Sequence, residues 1–128
     1  MRIVTLVARI LLGIMFLVFG LNGFLHFIPQ GPMPAGLASQ FVGALTESHY
    51  FVAVFLLQIV SGVLFLINRY VPLALTLIAP VIVNILLFHA LMAPSGILPG
   101  IFATVFWIVV AYSLRSAFAG IFQQRVHG

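Results

Sequence analysis

Residues 50–92 read YFVAVFLLQIVSGVLFLINRYVPLALTLIAPVIVNILLFHALM, and Arg69 is the one formal charge among them. This stretch decides the fold. A helix rises ~1.5 Å per residue, so ~20 apolar residues cover a hydrocarbon core ~30 Å thick. Residues 50–67 and 71–92 are each about that long. Asn68, Arg69 and Tyr70 between them form a polar break, and Pro72 falls in the first turn of the second helix, where its missing N–H costs nothing. The pattern predicts a helical hairpin that crosses a bilayer twice.

Working outward, residues 10–28 and 97–114 are two more apolar stretches of spanning length. Ala93-Pro94-Ser95-Gly96 makes the last turn, with Pro99 in the first turn of the helix that follows. The first connection is the long one. Residues 29–34, PQGPMP, hold three prolines and cannot be helix. After them, residues 35–48 place Leu37, Phe41, Val42 and Leu45 near a 3.6-residue period, with Ser39, Gln40 and Thr46 between, which predicts a short amphipathic helix at the membrane interface. The expected fold is all-α: a single domain over residues 1–128, an integral membrane four-helix bundle with a Pro-rich loop and a short amphipathic helix between its first two spans. Arg2 and Arg9 ahead of an apolar run resemble a signal peptide, but no small-x-small cleavage site follows, so the run is read as a retained first helix.

Composition agrees. Of 128 residues, 64% are hydrophobic and 5% charged, whereas a soluble domain is nearer ~25% charged. The net charge of +4 comes from five arginines that lie far apart along the chain, so it is no nucleic-acid footprint. With no cysteine there is no disulfide, thiolate metal site or dithiol chemistry. Four crossings put the N-terminus, the 68–70 turn and the C-terminus on one side, and Arg2, Arg9, Arg69, Arg115 and Arg125 all fall there. The positive-inside rule makes that side the cytoplasm and predicts a multi-pass protein of a bacterial inner membrane.

Polarity collects in the opposite half. Asn22 and His26 share a face of the first helix at i, i+4. Gln58 lies about 12 Å below the outer surface at ~1.5 Å per residue. Asn84 and His89 occupy the outer half of the third span, and Glu47 and His49 stand at its entrance. Such groups face the bundle interior. The three amides serve either to bridge helices or to contact a ligand, and both readings stay open. His26 and His89 lie near helix ends, where interfacial water competes with a ligand role. Haem would need both histidines as axial ligands. Asn84 and His89 are about 140° apart around a helix, which argues against one shared cavity, so haem and a histidine-rich metal site are both disfavoured. Glu47 is the only acidic residue and sits in a loop, so a hydrolase is disfavoured too. Gly13 and Gly20 line a different face and fit close helix packing. Pro80 is expected to kink its helix and free a carbonyl, with Ser61 as a candidate partner.

Residues 8–24, ARILLGIMFLVFGLNGF, and 58–69, QIVSGVLFLINR, resemble the DoxX family of small four-helix bacterial membrane proteins, over nearly the whole chain. Many relatives carry lysine where this chain has Gly23 and glutamate where it has Gln58. The resemblance implies an association with membrane redox chemistry: subunits of thiosulfate:quinone oxidoreductase, or partners in methylamine use, catechol stress and oxidant defence. The expectation is an accessory subunit rather than a self-sufficient enzyme, with a lipid or quinone pocket in the outer half of the bundle formed by Asn22, His26, Gln58, Asn84 and His89. Its partners would be membrane lipid and a redox enzyme subunit, with homo-oligomerisation left open. The alternative is a non-enzymatic assembly or stabilising partner of another membrane protein.

Overall fold

The computed structural model describes residues 2–28 and 35–126, and every regular element in them is helical. Helix α1 is Arg2–Leu25, α2 Leu37–Glu47, α3 Tyr50–Ile67, α4 Val71–Leu91 and α5 Leu98–Ser113. A 3-10 turn, Pro94–Gly96, joins α4 to α5, and a 3-10 segment, Arg115–Phe122, follows α5. The Pro-rich residues 29–34 lie outside the described residues. Three helices, α1, α3 and α4, are long and apolar enough to cross a membrane, and α5 joins them if it and the 3-10 segment beyond it, bent by 84°, form one span.

These helices are apolar on the outside as well as the inside. The best windows of α1, α3 and α4 each have a mean hydropathy of 2.5, yet only 28%, 22% and 33% of them is buried. Leu56, Val83, Leu87 and Ile108 all face outward. A helix apolar all round belongs in lipid, where its backbone groups must pair within the helix itself.

Glycine sets the closest contact, between α1 and α3. A Cβ built on Gly13 would meet Leu66 Cγ at 2.9 Å, and one on Gly20 would meet Ile59 Cγ1 at 2.8 Å. Low α1 numbers thus face high α3 numbers, so the two helices run antiparallel. Their glycine faces let the backbones approach, as the spacing predicted. Helix α5 packs on both α1 and α4, and α4 on α3, so the four long helices close a ring. Leu12, Phe16, Phe65, Leu75, Ile78 and Val110 fill its centre and are essentially fully buried. Trp107 Nε1 on α5 donates to the Leu75 carbonyl of α4 at 3.0 Å, pinning those helices together.

Helix ends depart from the apolar pattern. The hydrophobic run continues to Ile28, but α1 stops at Leu25 because His26 adopts a left-handed backbone (φ 53°). Asn68 (φ 56°) ends α3 and Tyr70 (φ 54°) opens α4, so two left-handed residues make the tight turn. The Arg9 guanidinium donates to the Phe65 carbonyl in the last turn of α3, where a helix leaves its acceptors unpaired and its dipole is negative. Helix α4 continues through Pro80. Ser61 does not serve the carbonyl that Pro80 frees: its hydroxyl is fully buried without a partner. Polar groups of this stretch close instead within α4, Thr76 onto the Pro72 carbonyl at 2.9 Å and Asn84 onto that of Pro80 at 2.8 Å.

Candidate functional site

Helix α2 lies across α3 and leaves a cleft beneath it, bounded on the far side by α4. Its volume is about 420 Å³, within the ~300–1,000 Å³ range of small-molecule sites. The walls are aromatic. Phe41 of α2 stacks on Phe88 of α4, with ring centroids 5.6 Å apart, and Phe51 stacks on Phe55 along α3 at 5.0 Å. Of these rings the sequence singled out Phe41 alone, on the apolar face of the amphipathic helix. Only the i, i+4 spacing of Phe51 and Phe55 hinted that they share a face.

Four side chains with polar atoms line this largely apolar cleft: Tyr50, Gln58, Asn84 and His89. Gln58 is 7% exposed, and its Oε1 is enclosed with no hydrogen-bond partner. The amide comes this deep because α1 offers only Gly20 opposite it, where an added Cβ would lie 3.0 Å from Gln58 Cβ. Asn84 is exposed, and its Nδ2 is held by the Pro80 carbonyl. His89 is half-buried, with Nδ1 3.1 Å from the Ala93 carbonyl.

Asn84 and His89 therefore share a cavity despite standing about 140° apart on the helix. The cleft takes in two adjacent stripes of α4, Pro80-Asn84-Phe88 and Val81-Ile85-His89. Residues of α2 and α3 complete its lining on either side.

Asn22 and His26 do not line the cleft. Asn22 is buried, and its Oδ1 accepts the Ile28 N–H at 2.8 Å while its carbonyl accepts that of His26 at 2.8 Å. The side chain thus shapes the turn that ends α1. His26 is exposed in that turn. Replacing Asn22 by leucine leaves the Ile28 N–H unpaired and is expected to cost about 1–2 kcal/mol. Unfolding in mixed detergent micelles should show the loss as a lower midpoint; a midpoint equal to that of the unaltered protein would remove this role.

No family model, curated protein or solved structure matches the chain.

Proposed function

We propose that the chain is a four-span membrane protein of a bacterial inner membrane with both termini in the cytoplasm. In this reading it is an accessory subunit in quinone-linked redox or oxidant-defence chemistry, and the cleft under α2 holds the ring of a membrane quinone. The observation that carries the reading is Gln58. A buried amide without a partner is costly, and this one sits on the floor of an aromatic-walled cleft of ligand size. Phe41, Phe51, Phe55 and Phe88 suit a flat ring, and α2 as a short interfacial helix leaves the cleft within reach of lipid. The resemblance of residues 8–24 and 58–69 to DoxX proteins supports the redox association.

Purification of the protein from native membranes, followed by solvent extraction and mass spectrometry, should recover an isoprenoid quinone or quinol in near-stoichiometric amount. Gln58→Leu and Phe88→Ala should each lower that yield severalfold. A preparation that carries phospholipid alone would reject the quinone pocket and leave the assembly-partner reading, which crosslinking in native membranes would then test.

A further inference from the structure

We infer that the arginine end of the bundle is a docking surface for anionic phospholipid, and that the 3-10 segment beyond α5 lies flat in the same headgroup layer; this rests on the four-span reading of the helices and not on the quinone cleft. Helix α1 runs antiparallel to α3. Helix α5 runs antiparallel to α4, because Trp107 in its second half meets Leu75 early in α4, while Gly100 near its start faces Ile85 and Leu86 late in α4. The start of α1, the turn from α3 to α4 and the end of α5 therefore share one end of the ring. Arg2, Arg9, Arg69 and Arg115 belong to those segments, and Arg125 follows in the tail. The one acidic side chain, Glu47, closes α2 beside the start of α3, at the opposite end. The arginine end thus carries no acidic side chain to neutralise it. Arg9 is committed to the Phe65 carbonyl, but Arg2, Arg69, Arg115 and Arg125 are all exposed.

The chain beyond α5 adds a second feature to this end. After Ser113 it turns by 84° into Arg115–Phe122. A segment at right angles to a spanning helix runs along the membrane plane rather than through it, so α5 alone makes the crossing. Phe118 packs back on the bundle core, whereas Ile121 and Phe122 are 67% and 86% exposed. Large apolar side chains outside the bundle, bracketed by Arg115 and Arg125, have the composition of an interfacial anchor. The rings and branched chains enter the acyl boundary while the guanidinium groups stay with the phosphates. Tyr70 and Tyr112 are exposed at this same end, as amphipathic rings are at a headgroup layer. A guanidinium pairs two phosphate oxygens at once, and a headgroup without its own ammonium leaves that pairing uncontested. Phosphatidylglycerol is then held in preference to phosphatidylcholine.

The test uses the purified full chain in phosphatidylcholine liposomes, with a trace of phosphatidylglycerol or phosphatidylcholine that is spin-labelled on its acyl chain. The fraction of label immobilised at the protein surface gives the relative affinity of the two headgroups. Phosphatidylglycerol should be favoured about threefold or more at low salt, and less in ~1 M salt. Arg115→Gln combined with Arg125→Gln should at least halve that preference; both residues are exposed, so the bundle is not disturbed. A nitroxide on Ile121→Cys should report a depth just below the phosphates, reached by oxygen and shielded from a water-soluble nickel chelate. Equal affinity for the two lipids, or a preference that the double variant leaves intact, would overturn the docking surface. A label at position 121 that lies in water or near the bilayer centre would overturn the flat segment. If neither labelled lipid is immobilised, the four-span reading falls with the proposal.

Discussion

Gly62→Leu is expected to separate α1 from α3 and to abolish the folded state under conditions where the unaltered protein is stable. A Cβ at position 62 would lie 2.6 Å from the Leu17 backbone nitrogen and 2.9 Å from the Gly13 carbonyl oxygen. Those neighbours are backbone, so no rotamer change can make room and the whole helix must move. Overpacking a core with flexible neighbours costs ~1–3 kcal/mol; here the cost should reach or exceed the top of that range. Lipid supplies no hydrophobic drive to push the helices back, because association rests on packing itself. Gly43→Ala is the internal comparison. It lies within α2 with nothing within 4 Å of a new Cβ, so the gain in helix propensity, up to ~1 kcal/mol, should show as slight stabilisation. Denaturant titration in mixed micelles reads both. If Gly62→Leu unfolds together with Gly43→Ala, the close contact is not what holds α1 to α3.

The second large effect concerns sidedness. Cysteines placed singly at Ser95 and Ser116 give an unambiguous readout, since the chain has none of its own. Both positions are exposed, one in the turn between α4 and α5 and the other beyond α5. An impermeant maleimide added to intact spheroplasts should label position 95 and spare 116. The expectation follows from the arginines. Arg9 reaches the C-terminal turn of α3, so the start of α1 and the Arg69 turn lie at one end of the ring. Arg115, which donates to the Tyr112 carbonyl at 2.8 Å and lies 4.3 Å over the Tyr112 ring, marks the end of α5. Labelling of 116 alone would reverse the orientation. Labelling of both would mean that α5 does not cross.

The membrane-crossing character of the chain was legible because it depends on composition over long windows, which no tertiary detail can override. The glycine packing of Gly13 and Gly20 was legible for a similar reason: in lipid, small residues on one helix face have little other use. Single-residue backbone geometry was not. Nothing in the apolar run to Ile28 marks His26 as the left-handed residue that ends α1, and this is why Asn22 turned out to shape a turn rather than point into the cleft. The fate of Asn84 and His89 was hidden too. Angular separation on a helix excludes a shared cavity only when that cavity is narrow, and this one takes in two adjacent stripes of α4. Ser61 was matched to Pro80 on the chemistry of its hydroxyl alone, and depth and facing on α3 decide otherwise.

The 84° bend after Ser113 carries a mechanical consequence. Helix α5 has 16 residues and is about 24 Å tall, whereas the 24 residues of α1 reach about 36 Å. In the four-span arrangement the two stand side by side in a hydrocarbon layer ~30 Å thick. Lipid tails next to α5 must then compress while those beside the outer face of α1 stretch, or α1 must tilt. In that arrangement the protein would impose a thickness gradient on its own annulus of lipid. Each ångström of mismatch costs only a fraction of a kcal/mol. Summed around the perimeter, that gradient would favour shorter or more disordered acyl chains along the α5 flank and would steer a four-span protein toward thinner regions of membrane.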